Sequence, residues 1–483
     1  MAMGSTGMSL LLEQGAGEVK HLTDETLVFA SVGALARGIR LKRFSALEVV
    51  DAYLRRIDAV NPKLNALVFR ATDEAREAAR AADRALAQGK RLGPLHGVPV
   101  SVKDSFDVAG MVSTAGTTGW AKRIPASDAT VVARLRAAGC IILGKTNTPE
   151  FTMSDETDNL VYGRTNNPYD LSRTPGGSSG GPVALIASGG TAFDLGSDTG
   201  NSIRMPAHFA GVAGIKPTEG RVPKTGHAIS FVGHIGSWTQ VGPLARYVDD
   251  LILILPIISG PDGTDPYIVP APLQSPGKTV IRQLRVAFHA NNGIIAPTAE
   301  TQSAVRAAAQ VLRARGAQVE ERVPPALSEF GDLWQRVAFA DGAAWLKRLL
   351  QAAGTPGNGS MPWLANVRSV PPAEVTRAIE QMDRWRSRML DFMRNVDVIL
   401  CPVHPTPAVR HGGSSTPEFE LGDSYSTAYN ITGWPGAAVR AATSPEGLPI
   451  AVQILGRPWR EDVVLAVAKV IETELGGWKR PAI

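Results

Sequence analysis

Cysteine is nearly absent, at two of 483 residues. Cys140 and Cys401 lie in or at the end of the apolar runs "GCIILG" and "DVILCP", far apart in the chain, so a disulfide framework is not expected, their spacing matches no metal site, and both read as buried strand residues. Long hydrophobic runs are missing too. The longest, "LILILPII" at 251–258, is interrupted by Pro256 and falls well short of the ~20 residues that span a bilayer. No charged segment followed by an apolar one opens the chain, which leads to the expectation of a cytoplasmic protein without a membrane partner. Nor is there a strong excess of charge of one sign. Lys and Arg number 50 against 45 Asp and Glu, a formal net charge of +5. Short basic runs such as "RGIRLKRF" (37–44) alternate with apolar positions as a helix surface does, so no nucleic-acid partner is expected. Internal repeats and low-complexity tracts are likewise absent, which removes solenoids and disordered arms.

What is present is a chain that is 44% hydrophobic and 20% charged, enough to bury a large core. The opening "MAMGSTGM" reads as a tag scar with Met8 a candidate start, so residues 1–20 are set aside and 21–483 are taken as one domain. Ser45 with Glu48 three positions on is a capping box for an amphipathic helix over 45–60, and a second helix follows at about 71–88. Val98, Val100 and Val102 alternate like a strand, and "SDATVVARLRAAGCIILGKT" (127–146) reads as capped helix, Gly139 stop and buried strand. Strand, helix, strand is the grammar of an α/β sheet. The pattern resumes after about 285 with "LRVAFHA", "TAETQSAVRAAAQVLRARG" and "AQVEE". Between 326 and 396, Phe330, Trp334, Phe339, Trp345 and Leu349 at helical spacing suggest helices laid over the sheet as a cap. Its loop "GTPGNGSMPW" (354–363) is expected to be flexible and to contribute little packing. The end of the chain reads as a closing strand and a helix.

Two glycine- and serine-rich clusters, "GGSSGGP" (176–182) and "SDTGNSIRMP" (197–206), stand out. They are not linkers, because the segments around them ("VALIA", "AFDLG", "FAGVAGI") are made for burial. Gly176 and Gly181 have phosphate-loop spacing, but Pro182 stands where a lysine would neutralise phosphate. Gly176-Gly177-Ser178-Ser179-Gly180 satisfies the nucleophile-elbow pattern, for which only His404 and His411 lie late enough to serve as base. The remaining reading uses both clusters and a lysine. A serine needs a base to become nucleophilic at neutral pH, and a lysine whose charged form is disfavoured by burial can provide it. Lys103, at the end of "VPVSVK", is the candidate.

The combination of "GVPVSVKD", "GGSSGG" and "GSDTGNSIRMPAHFAGVAGIKPTEGRVP" resembles the amidase signature family of serine hydrolases. The similarity extends to "AAGCIILGKTNTPEF", "YGRTNNPYD" and "NITGWPGAAV…EGLPIAVQILGRP", and covers roughly residues 30–475. The resemblance implies a single large α/β/α domain with a mixed central sheet, the helical cap at about 326–396, and a Ser-cisSer-Lys triad. Lys103 would be the base, Ser178 the bridging serine after a cis peptide bond to Gly177, and Ser202 the nucleophile. Backbone N–H groups of Thr199, Gly200, Asn201 and Ser202 would hold the oxyanion. Where the family usually has Gly-Gly-Ser this chain has Gly200-Asn201-Ser202, and Asn is expected to be admitted because it tolerates left-handed dihedrals. Asp198 and Arg204 are read as an ion pair fixing the turn, Ser179 as a hydrogen bonder beside the triad, and Met153 as a weak substrate-facing position.

No metal or organic cofactor is implied. The expected substrate is a small-molecule amide, aryl anilide or carbamate, the last because "SDTGNSIRMP" and the aromatic cap look similar to the urethane- and anilide-cleaving branch. The competing readings are the amide-forming component of an aminoacyl-tRNA amidotransferase, an esterase using Ser178 as an elbow, and a non-catalytic binding protein. The oligomeric state is left as monomer or homo-oligomer.

Overall fold

Alternating apolar residues build eleven strands among the described residues, and they sort into the mixed central sheet expected and a second, smaller sheet that was not foreseen. The computed structural model describes residues 23–331 and 333–483, so the opening "MAMGSTGM" lies outside them. Strands β1 (Leu67–Arg70), β2 (Pro99–Lys103) and β3 (Ile141–Thr146) form a small sheet of order β1-β3-β2. Strands β4 (Phe193–Asp198), β5 (Ala213–Lys216), β6 (Gln240–Ala245), β7 (Arg285–Phe288), β8 (Gln318–Glu321), β9 (Val398–Pro402), β10 (Gly436–Thr443) and β11 (Pro449–Gly456) form an eight-stranded sheet of order β4-β6-β5-β10-β11-β9-β7-β8. It is mixed: β7 runs parallel to β8 and β9, and the other pairs are antiparallel.

The split has a physical reason in the buried carboxylate of Asp194 on β4, an edge strand of the large sheet. Asp194 Oδ1 accepts from the Lys103 N–H at 2.9 Å, and Oδ2 accepts from Ser101 Oγ at 2.5 Å and Thr146 Oγ1 at 2.9 Å. The Ser101 N–H donates to Thr191 Oγ1 at 3.0 Å. Side chains thus satisfy donors of the β2 edge that a neighbouring strand would otherwise take. Helices cover the sheets, and a core that includes Val100, Ile142, Leu195, Val241, Val439 and Val452 fills the space between.

Local signals hold up where the chain satisfies itself. The capping box of Ser45 and Glu48 opens a helix over Ala46–Leu64, and the Ala-rich helix spans Thr72–Ala87. The helix Thr130–Ala137 lacks the side-chain cap expected for it: its N-cap is Ala129, while Asp128 instead accepts from the Ala109 N–H and Arg136 Nε. "LILILPII" lies in a helix, Val248–Ile258, and no helix among the described residues is long and apolar enough to cross a membrane. Cys401 is in β9, and Cys140 is buried directly before β3.

The segment 326–396 is helical, with Leu333–Ala338, Ala344–Ala353 and Pro372–Met393 around a second core of Phe330, Trp345, Trp385 and Met389. Trp334 packs on Trp238, ring centroids 4.9 Å apart. The loop expected to be loose is tied down at both ends. Thr355 bonds Thr117 hydroxyl to hydroxyl, and the Ser360 N–H and Oγ donate to the buried Glu150 carboxylate at 2.5 and 2.7 Å.

Candidate active site

Lys103 ends β2 with its side chain fully buried. Its Nζ lies 2.7 Å from Ser178 Oγ, 2.9 Å from Ser179 Oγ and 3.0 Å from Ser197 Oγ. Burial pushes this amine down to about 7, against the Asp194 and Asp198 carboxylates, which hold it up. Three hydroxyls match the three N–H donors of an ammonium, and equally the two N–H donors and one lone pair of a neutral amine if one hydroxyl donates to nitrogen. It is burial that favours the uncharged form, the form that can take a proton, and the hydroxyl cluster can serve both.

The first glycine–serine cluster is a turn that leads into the helix Gly180–Ala187. The Gly177–Ser178 peptide bond is cis. Gly176 has φ of 87°, and a side chain there would stand 3.1 Å from Pro206 Cα. A Cβ on Gly177 would fall 2.4 Å from the Ser154 carbonyl oxygen. These glycines let three backbone segments meet where any side chain would collide. The Thr148 hydroxyl donates to the Ser178 carbonyl at 3.0 Å and the Thr157 hydroxyl to the Gly176 carbonyl at 2.9 Å, which fixes the turn.

The second cluster is the turn between β4 and the helix Arg204–Ala210. Asp198 and Arg204 form the expected ion pair, at 2.9 Å with both side chains fully buried. Burial opposes the Asp198 charge, but Arg204 outweighs it and holds the carboxyl down to about 2. The remaining donors of Arg204 reach Gln453 Oε1 at 2.7 Å, the Ser426 carbonyl at 2.9 Å, the Gly200 carbonyl at 3.0 Å and Asn430 Oδ1. Because C=O and N–H point oppositely in a trans peptide, a Gly200 carbonyl turned to Arg204 turns the Asn201 N–H away from it. The Asn201 carbonyl likewise accepts from the Met205 N–H at 2.8 Å, which turns the Ser202 N–H outward. Among the described residues the N–H groups of Gly200, Asn201 and Ser202 have no protein acceptor. Thr199 is held by its hydroxyl, 2.9 Å from Thr239 Oγ1.

Asn201 does not have positive φ, so tolerance of left-handed backbone is not what admits it. Its side chain has partners instead: Nδ2 donates to Asp423 Oδ1 at 2.7 Å and to Asp155 Oδ1 at 3.1 Å. The Ser202 hydroxyl makes only a long contact, 3.5 Å to Asn201 Oδ1.

The other residues singled out in the sequence are placed in and around the site. Met153 is half-buried and packs against the core under the cap, and Ser179 is fully buried beside the lysine. His404 is buried rather than at the surface, packed on Phe419 with centroids 4.3 Å apart and pushed down to about 3 by burial. His411 lies near Glu156. Among the described residues no histidine bonds Ser178 or Ser202, so the elbow triad does not assemble. The sequence reading missed Ser197, Asp155, Asp423 and Asp194. Two acids four positions apart in the buried strand "FDLGSD" were the available signal for Asp194, since they share a face of β4 with Gly196.

Comparison with known proteins identifies the family and relatives of the chain. The chain matches the family described as Amidase over residues 48–465. It is 37% identical to the A component of the glutamyl-tRNA(Gln) amidotransferase of Anaeromyxobacter sp. (strain K), over 92% of this chain and 96% of that protein. It is 38% identical to an indoleacetamide hydrolase of Bradyrhizobium diazoefficiens, over 91% of this chain and 86% of that one. The solved structure of a bacterial aryl acylamidase belonging to the amidase signature enzymes superposes with a TM-score of 0.82 at 27% identity, covering 92% of this chain and 96% of that one.

Proposed function

The chain belongs to the amidase family, amidase-type enzymes acting on non-peptide C–N bonds, and from that premise we propose that it hydrolyses small-molecule amides, aryl anilides or carbamates through an acyl-enzyme on Ser202. The observation that carries the reading is the buried Lys103 amine, 2.7 Å from Ser178 Oγ, in surroundings that favour its neutral form. Lys103 takes a proton through Ser178 from Ser202, and Ser202 Oγ forms a bond to the substrate carbonyl carbon. The unpartnered N–H groups of the 199–202 turn receive the oxyanion, each such donor being typically worth ~3–4 kcal/mol. The relay returns the proton to the leaving nitrogen as the C–N bond breaks. Water then attacks the acyl-enzyme, giving its proton back along the same path.

A fluorophosphonate tests the assignment. It is expected to label Ser202 alone, with the adduct mapped to the peptide containing "DTGNSIR". Ser202→Ala removes labelling, and Ser178→Ala slows it without moving it. An adduct on Ser178 would refute the relay.

A second reading, the corresponding component of a tRNA-dependent amidotransferase, is favoured by the 37% identity to such a protein. Its partners and ammonia-transfer chemistry are separable from simple hydrolysis. Turnover of an aryl anilide, an aryl carbamate and an aliphatic amide by the isolated chain supports the hydrolase. Activity that emerges only with added partner proteins supports the other.

A further inference from the structure

We propose that Asn201 is a positioning residue whose amide clamps the Asp155 and Asp423 carboxylates together across the site and so fixes the turn that presents Ser202. The proposal rests on the reading of Ser202 as the nucleophile. Both N–H bonds of one amide nitrogen are used, at 3.1 and 2.7 Å, and they draw together two acids from separate parts of the chain. Each acid is anchored to a different wall. Asp155 belongs to the loop whose backbone is pressed against Gly177, beside Ser178. Asp423 begins the short turn Asp423–Tyr425, which leads to the Ser426 carbonyl held by Arg204. The clamp thus links the turn of Ser178, the turn of Ser202 and the Arg204 hub. A glycine at 201 would leave the two carboxylates facing each other with no donor between them.

The charges around the pair make this consequential. Burial pushes Asp155 up to about 6, with Glu420 and Glu156 adding to the effect, and burial together with Asp155 raises Asp423. Only Arg204 opposes the rise at Asp423 by its charge. Glu156 is occupied by the Gly412 and Ser414 N–H groups, with His411 nearby. With Asn201 in place, both acids can ionise while each keeps a donor. Without it, ionisation of the second sets two like charges against each other and opens the walls.

The test is a pH series from 6.5 to 9 on the purified full chain, reading kcat/KM, the rate of fluorophosphonate labelling and Tm for the native protein, Asn201→Gly, Asp423→Asn and the double variant. Asn201→Gly is expected to lose on the order of tenfold in kcat/KM at pH 9 but only about two- to threefold at pH 6.5. Its Tm is expected to fall more at pH 9 than at pH 6.5. Adding Asp423→Asn removes one of the charges and restores both high-pH losses. A loss equal at all pH values, no loss, or no rescue by Asp423→Asn would overturn the clamp. Failure of the native protein to label at Ser202 would instead overturn the nucleophile assignment, and the Tm arm would still decide the clamp.

Discussion

The junction around Lys103 and the cap over 326–396 are built on opposite plans. At the junction, buried polar groups hold one another: Asp194 accepts four hydrogen bonds, the Arg204 guanidinium serves six acceptor atoms, and small residues let backbones touch. In the cap, large side chains fill space by contact. Facing it, Phe231, Val232 and Ile235 join Val337, Trp345 and Leu349 around an open cavity of about 460 Å³. A hydrogen-bonded network fails when one member is removed, because the partner is left buried and unpaired. An apolar layer gives way gradually, losing contacts in proportion to the atoms removed. Substitutions at the junction should therefore act on chemistry and those in the cap on the choice of substrate.

The sharpest break should come at Lys103. Lys103→Ala is expected to lower kcat/KM on the order of 10⁴-fold or more, as removal of one member of a catalytic unit does. In the native protein kcat/KM should rise with pH and level off above about 7, because the amine is active only when deprotonated. His404→Ala is the contrasting variant. It empties space against Phe209 and Phe419, so it should lower Tm while the pH profile stays in place. A profile that loses its acid limb in His404→Ala would move the base to that histidine.

A smaller effect is expected at Asp194, and it separates charge from scaffolding. Asp194→Asn keeps an oxygen for the Lys103 and Leu195 N–H groups, and the hydroxyls of Ser101 and Thr146 can rotate to accept from the new amide. What disappears is a negative charge that holds the Lys103 pKa up. The acid limb should therefore move to lower pH, by about 0.5–1 unit. Of the other groups facing this pocket, Asp198 keeps its charge, burial holds His227 neutral, and Lys145 loses the same support from Asp194 but keeps its Asp104 partner. A fall in activity with the limb unmoved would make Asp194 a scaffold only.

The same contrast explains what could be read from the chain alone. Ser178 and Ser202 stand in dense patterns of glycine and serine and Lys103 at the end of an apolar alternation, and the ion pair of Asp198 with Arg204 brackets the turn of Ser202. Those patterns are local, so the sequence displays them as motifs, and the resemblance to a family assigned their roles. The clamp on Asn201 joins residues 46 and 222 positions away, and no local period encodes such a meeting. The division into two sheets escaped for the same reason. It depends on Asp194 satisfying β2 from β4 across 91 residues. Helices with their own caps, such as Ala46–Leu64, were legible because their hydrogen bonds close within the segment.

The least severe change lies in the cap. Ser360→Ala removes one hydroxyl bond to Glu150 but leaves the Ser360 N–H bond to the same carboxylate. One hydrogen bond of this kind contributes ~1 kcal/mol net, or up to ~3 if a charged partner is left short of donors. Glu150 belongs to the segment Glu150–Thr152 that precedes Met153, so loosening the loop at 360 frees the wall between cap and site without touching Lys103 or Ser202. The expected result is an unchanged kcat and pH profile, Tm lower by a few degrees at most, and a KM that shifts more for an aryl anilide than for a small aliphatic amide. Equal KM shifts for both substrates would mean that the tether stabilises the fold and has no part in selecting what enters.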